Sequence, residues 1–438
     1  MTKKITVRTL LVPILLLAAL GGVSCSKAER PNVVVVVIDT WRPDHLPFHG
    51  YAHNTMPFLA SIAGQSADFT RAYAGSSWTA PATASIFTGL YPFQHGVVMG
   101  LLAQKKSLRK DPTIQINRIP EAVQTLPEVF KANGYRAFGI SDNLNISKRQ
   151  GFEQGFDWLL TLRHTGAENI NRELLQRQQE ILSAAPYFLY IHYNDPHRPY
   201  KTLLSEEEKT GDWLQDMKRM YDKELAHVDG RLGELYRRFG WERNTLLVVT
   251  ADHGEEMMER GFYGHGISLY NTVIRVPLLF HHAGSRRVSP GKVEAEASTL
   301  DILPTLNGML GFRRLEGLAG VDLSSLLAGS DRSLPKRAIY SHLQVKRARR
   351  TDFEHKAAIA AACKYIFQSP HALSLFFDLR LDPGETQNLY ESRRDEAREL
   401  AAGLFRFERT AKRHNPDYVG IPLDEKSIEH LKTLGYIQ

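Results

Sequence analysis

Several short polar clusters follow apolar runs directly in this 438-residue chain, and their residue types are those that bind a divalent cation. Asp39 follows the run 33–38, Asp252 and His253 follow 246–250, and Asn194, Asp195 and His197 follow 187–192. A carboxylate from one place and an Asp-His pair from another make a mixed oxygen and nitrogen ligand set, which suits Zn²⁺, Mn²⁺ or Ca²⁺. One divalent metal on Asp39, Asp252 and His253 is therefore expected. A second metal on Asp195, His197 and His265 is open, since their spacing does not require it. The plainer alternative is that each aspartate only caps the helix or turn after it. Three clusters at the same predicted edge weigh against that.

Thr79 adds a hydroxyl. Pro81 suits the first turn of a helix and Gly89 its end, so Thr79 falls at a helix N-terminus, where free backbone N–H groups favour an anion. A threonine hydroxyl is a poor nucleophile until a cation or base lowers its pKa, so Thr79 needs the Asp39, Asp252 and His253 metal beside it. The alternative role is a simple N-cap.

These residues need strands whose ends converge. The run 33–38 is continuously apolar and β-branched, as a central parallel strand covered on both faces must be. Residues 136–140, 187–192, 246–250 and 277–280 read as further strands. Helical periodicity fills 57–65, 126–133, 169–184 and 213–238. Alternating strands and helices imply an α/β fold around a mostly parallel sheet, whose carboxyl edge gathers the ligand-binding loops. Past about residue 335 the pattern changes. Residues 357–368 and 373–380 read as two antiparallel strands around the turn at 369–371, and 393–412 as a charged helix. The expected division is a signal at 1–25, a catalytic α/β domain at 31–334 and a small α+β subdomain at 335–438.

A composition of 43% hydrophobic and 24% charged residues supports a large core and excludes a disordered chain. Lys3, Lys4 and Arg8, the apolar run 10–19 and small residues up to Cys25 have the layout of an export signal, too short for a membrane span. Residues 21–25 also resemble a bacterial lipoprotein signal, with Gly22 where leucine is usual, so Cys25 is a candidate lipid anchor; a cleaved signal with an incidental cysteine is the alternative. The chain is expected in the bacterial cell envelope. With Cys25 acylated or removed, Cys363 has no partner and the folded body no disulfide. The net charge of +7 falls to about +4 without Lys3, Lys4 and Arg8, and basic residues are scattered, so no nucleic-acid partner is expected.

The segment 31–46, the Thr79 helix ending at 88–92, His95-Gly96-Val97, the stretches 192–200 and 250–255, Gly264-His265-Gly266 with Arg275-Val276-Pro277, and the late motifs 377–379, 382–385, 388–389 and 431–437 together resemble the sulfatase family of the alkaline-phosphatase superfamily. The likeness implies an alkaline-phosphatase-like sheet sandwiched by helices and an ester hydrolase acting on a small-molecule, glycan or lipid anionic ester. It implies Asp39, Asp252 and His253 as metal ligands and Thr79 as a nucleophile that also touches the metal. His197 and His265 match positions that grip the anion or protonate the leaving oxygen, with His197 ranked first for its place in a proline-bounded loop after a strand.

Departures from the family pattern are equally specific. Its members carry Cys or Ser at the nucleophile, Pro two later and Arg four later, and convert the nucleophile to formylglycine; here the series is Thr79, Pro81, Thr83. Threonine cannot become formylglycine by that route. Thr40 replaces the family's second early carboxylate, and the Lys-x-His pair is replaced around Ser141, Asp142 and Asn143. A threonine nucleophile resembles phosphate-handling relatives and tilts the expectation toward a phosphoester. A sulfuric-ester hydrolase without formylglycine and a non-catalytic binder of anionic ligands are the alternatives.

Overall fold

The computed structural model describes residues 30–100, 117–285, 287–330, 334, 336–345, 353–369 and 371–414. The export signal, Cys25, most of the loop 100–118 and the closing motif 431–437 lie outside them. No helix among the described residues is long and apolar enough to cross a membrane.

The central strand is Asn32–Ile38, with Val33 through Ile38 wholly buried. Burial of each such side chain stabilises by roughly 1.5–3 kcal/mol, and a strand apolar on both faces can sit only in the middle of a covered sheet. Tyr187–Tyr193 and Thr245–Thr250 flank it in parallel, with Val33 opposite Phe188 on one side and Leu246 on the other. Arg136–Ser141 and Trp158–Thr161 extend the parallel run beyond Tyr187–Tyr193. On the other side Leu278–His281 runs antiparallel to Thr245–Thr250, followed by Ser66–Phe69 and Gly291–Val293 in an eight-stranded sheet. The expected mostly parallel α/β sheet is the one observed. The strands Ser66–Phe69 and Trp158–Thr161 escaped the sequence reading because four residues are too few to show a period.

The helix Trp213–Phe239 packs on Pro57–Ala63 and Ala167–Gln176, while Thr79–Thr88 packs on Leu126–Ala132 and Ile302–Met309. Asp229 of the long helix accepts hydrogen bonds from the backbone N–H groups of Phe58 (2.6 Å) and Leu59 (3.0 Å), satisfying the open start of the short one. The single helix expected at 169–184 is two, Ala167–Gln176 and Gln178–Ser183, broken at Arg177. No proline or glycine marks the break, so the periodicity ran through it.

The C-terminal sheet has four antiparallel strands in sequence order: Ile339–Val345, Phe353–Ala360, Cys363–Gln368 and Leu373–Asp378. Residues 357–368, expected as one strand, are parts of two. They turn at Ala361 and Ala362, both at positive φ (51° and 59°), where asparagine and glycine are the usual signal. The Glu296 carboxylate accepts from both turn N–H groups and holds this costly conformation. One face of the sheet, with Ile359, Ile366 and Phe377, packs on Leu269, Val273 and Ile274. The other packs on Ala397, Ala401 and Leu404, one stripe of the helix Arg394–Thr410.

Candidate active site

Asp39 stands one residue past the central strand, its N–H donating to Tyr193 O at 2.9 Å, which fixes the backbone as it leaves the sheet. The next residue, Thr40, has φ of +56°, rare for a β-branched residue. Tyr221 Oη donates to Thr40 O at 2.8 Å and accepts from Arg42 N at 3.0 Å, which holds the strained turn in place. Arg42, buried, then donates to Glu255 O (2.8 Å) and pairs with Asp44 and Glu259, tying the Asp39 turn to the loop that carries Asp252 and His253. Gly254 lies in that loop because a Cβ there would meet Thr272 O at 2.2 Å.

Thr79 opens the helix Thr79–Thr88, which ends at Gly89 with φ of +64°. The N-cap is Trp78, so the capping alternative does not describe Thr79. Its hydroxyl faces the strand ends instead: Oγ1 is 3.4 Å from Asp39 Oδ2 and 3.4 Å from His253 Nε2. His253 Nε2 is in turn 3.5 Å from Asp39 Oδ1 and 3.5 Å from Asp252 Oδ2. The residues expected to share a cation, Asp39, Thr79, Asp252 and His253, are thus brought together from three distant stretches of chain. All four are buried.

The donor set fits a divalent cation. His253 Nδ1 lies 2.8 Å from Gly254 O, which assigns its proton to Nδ1 and leaves a bare lone pair on Nε2. That lone pair faces Asp39 Oδ1 and Asp252 Oδ2, buried oxygens with no hydrogen-bond partner. Electron pairs converging with no proton between them are tolerable only around a positive charge. The titration of the bare cluster reflects the same strain. Burial opposes the Asp39 charge, but the hydrogen bond from His192 and the nearby imidazoles of His253 and His197 outweigh it and hold Asp39 well below the usual carboxylate range. Burial and the adjacent Asp39 charge push Asp252 well above that range. Burial, with His265 alongside, pushes His253 down to about 3, so its ring is neutral.

Around this core stand residues to which the sequence assigned no ligand or catalytic role. Asn143 Nδ2 lies 2.9 Å from Asp39 Oδ2, 3.5 Å from Thr79 Oγ1 and 2.8 Å from Asn194 Oδ1. His192 Nε2 lies 3.5 Å from Asp39 Oδ2, with its Nδ1 2.9 Å from Tyr190 Oη. Asn143 follows the strand Arg136–Ser141 by two residues, so strand-end position was the signal available for it. His192 opens the matched stretch 192–200, but its place inside an apolar strand gave no sign that it would meet Asp39.

Of the two outer histidines, His265 stands beside His253, ring centroids 4.4 Å apart, with His197 5.0 Å further out. The loop of His265 is tied to the segment leading into Thr79, because Gly266 N donates to Ser77 O at 2.9 Å. Glu255 Oε1 meets His265 Nδ1 at 2.9 Å; although burial opposes it, that carboxylate raises the His265 pKa. Asp195, His197 and His265 do not form a three-ligand group among the described residues. The reason is that Asp195 turns to the start of a helix, where its Oδ1 accepts from Ala167 N at 2.9 Å.

The Sulfatase family model matches residues 31–312. An ulvan-active sulfatase from Formosa agariphila is 24% identical over 411 residues, covering 82% of this chain and 77% of its own. Among solved structures, a 2-O GAG sulfatase superposes with a TM-score of 0.72 at 18% identity, covering 91% of this chain and 96% of the other. The phosphonate monoester hydrolase of Agrobacterium radiobacter does so at 0.68 and 18%, covering 91% and 99%. The shared architecture is the large mostly parallel sheet with a small antiparallel sheet after it.

Proposed function

This chain belongs to the sulfatase family of the alkaline-phosphatase superfamily and is an ester-bond hydrolase, and from that premise we propose that it cleaves an anionic ester through Thr79 itself, with a phosphoester favoured over a sulfate ester. The observation that carries this reading is the hydroxyl of Thr79 at 3.4 Å from both Asp39 Oδ2 and His253 Nε2. Asp39, Asp252, His253 and Thr79 would hold the divalent cation, which would lower the pKa of Thr79 Oγ1, so that its proton passes to solvent water, and would neutralise the substrate's non-bridging oxygens.

The remaining steps belong to the chain's own groups. Thr79 Oγ attacks phosphorus, and the bond from phosphorus to the leaving oxygen breaks on the opposite side. His265, protonated and fixed at Nδ1 by Glu255, gives its Nε2 proton to that oxygen; general-acid help of this kind is worth ~10²- to 10⁴-fold. Asn143 Nδ2 steadies Asp39 Oδ2, His197 binds a non-bridging oxygen, and the helix start at Thr79 adds its dipole. A water then attacks phosphorus of the phosphothreonine, its proton passes to His265, the bond from phosphorus to Thr79 Oγ1 breaks to restore that oxygen as it began the cycle, and phosphate leaves. An ordinary threonine phosphate ester hydrolyses by this route, whereas a threonine sulfate lacks the elimination that formylglycine offers.

The reading in which the ester is sulfuric is favoured by the names of the relatives. Purified protein assayed on p-nitrophenyl phosphate, a p-nitrophenyl phosphodiester and p-nitrophenyl sulfate, with Thr79→Ala as control, separates the readings. Turnover of sulfate alone would overturn the phosphoester preference, and turnover undiminished in Thr79→Ala would overturn the nucleophile. The export-signal layout of residues 1–25 supports a location outside the cytoplasm. The division into a catalytic part, 31–334, and a C-terminal subdomain, 335–438, belongs to the same reading.

A further inference from the structure

We propose that Glu168, Asp195 and His227 form a second divalent-cation site, of the zinc class, behind the loop that carries Asn194 and His197. The three residues come from the helix Ala167–Gln176, the loop after Tyr187–Tyr193 and the helix Trp213–Phe239, and one ligand atom from each lies within 4.8 Å of the others. His227 Nε2 is 3.0 Å from Glu168 Oε1.

A surface ion pair between Glu168 and His227 would account for those two residues alone. It leaves Asp195 unexplained. That residue is 1% exposed and uses Oδ1 to accept from Ala167 N, while Oδ2 is buried without any hydrogen-bond partner. A buried carboxylate oxygen with no donor is costly, and a cation shared with Glu168 and His227 supplies what it lacks.

Gly166, at φ of +104°, adjoins the cluster with no side chain: a Cβ there would lie 3.3 Å from Glu168 Oε2, 3.5 Å from Asp195 Oδ1 and 3.2 Å from Lys201 Nζ. Lys201 has a carboxylate partner of its own in Asp142, at 3.8 Å. Two carboxylates and an imidazole match the preferences of Zn²⁺, with water completing the shell, whereas Ca²⁺ takes six to eight oxygens. Zinc–ligand bonds of about 2.0–2.2 Å in a tetrahedron put ligand atoms ~3.4 Å apart, so the cluster closes by small movements of the half-exposed Glu168 side chain. The bound cation would pin the loop that positions Asn194, and through it Asn143, without joining the Thr79 cluster. This inference does not depend on the reaction assigned above.

The test is metal content by mass spectrometry after dialysis of the full chain against buffered free Zn²⁺. Glu168→Gln and His227→Ala are each expected to retain about one equivalent fewer than the wild type, while His53→Ala, which removes an exposed histidine, retains the same number. Equal content in the wild type, Glu168→Gln and His227→Ala overturns the site. So does an equal loss in His53→Ala, which would mark the binding as adventitious capture by surface histidines. Glu168 is on the surface, so its variant keeps the experiment decisive should His227→Ala fail to fold, as circular dichroism would report.

Discussion

Glu255 Oε1 lies 2.9 Å from His265 Nδ1, so the ring's other nitrogen is the one free to meet a substrate. A histidine held in this way is oriented by the carboxylate, which also raises its pKa against the opposing effect of burial. His265→Ala should therefore depend on the leaving group. On p-nitrophenyl esters, whose phenolate departs unaided, kcat should fall by less than about 10-fold. On alkyl esters the fall should approach the ~10²- to 10⁴-fold typical of a lost general acid. Equal losses on both classes would remove His265 from that role.

Thr79→Ala should lower kcat by at least roughly 10³-fold, the scale of a lost nucleophile with the remaining site intact. Thr79→Ser should keep much of the activity, since the hydroxyl remains. Acid quenching during turnover should trap a phosphoryl adduct on the peptide containing residue 79 in the wild type and in Thr79→Ser, and none in Thr79→Ala.

Chelation should both inactivate the protein and lower its thermal midpoint. A cation at 100 times its dissociation constant stabilises the folded state by about 2.7 kcal/mol. The same crowding of Asp39 and Asp252 gives a second expectation with opposite sign. Stripped of metal, Asp252→Asn should melt higher than the stripped wild type, because one of two buried facing carboxylates is gone. Calorimetry with and without chelator reads both, and a stripped Asp252→Asn that melts lower would contradict a carboxylate pair under strain.

Gly254→Ala should be severe. Its new Cβ would meet a backbone carbonyl, Thr272 O, at 2.2 Å, and a backbone atom cannot swing aside as a side chain can. The loop that holds Asp252 and His253 must shift, so metal affinity and kcat should fall together while the far sheet, read by proteolysis, stays intact.

Acid stability should trace to the C-terminal sheet. Burial works against the Glu354 charge, but Lys356 at 3.4 Å and the hydrogen bond from His342 outweigh it and bring the carboxyl down to about 2. A folded pKa below the unfolded one means stability that is present above about pH 4.5 and lost as pH falls toward 2. Glu354→Gln should be less stable than the wild type at pH 6 by denaturant titration. The difference should shrink at pH 3, and one that persists unchanged would remove Glu354 as the cause.

The central strand, the helix around Thr79 and the strand-end position of Asp39, Asp252 and His253 were legible because each rests on local rules: an apolar β-branched run, a proline and a glycine at helix ends, polar residues just past strands. The four-residue strands, the break at Arg177 and the alanine turn at 361–362 were not, because neighbouring segments impose them against or without local preference. The Glu296 carboxylate, 65 residues away in sequence, is what makes Ala361 acceptable there.

By itself the sequence determined the kind of sheet and which side chains stand at its carboxyl edge, since a strand's period and its end are properties of a few consecutive residues. Only the tertiary structure decided which of those side chains meet. Asn143 and His192 reach Asp39, Glu255 claims His265, and Asp195 turns away to Ala167 and the cluster with Glu168 and His227. Those pairings depend on strand order and on which buried polar atoms lack a partner, and both are set by contacts between residues far apart in the chain.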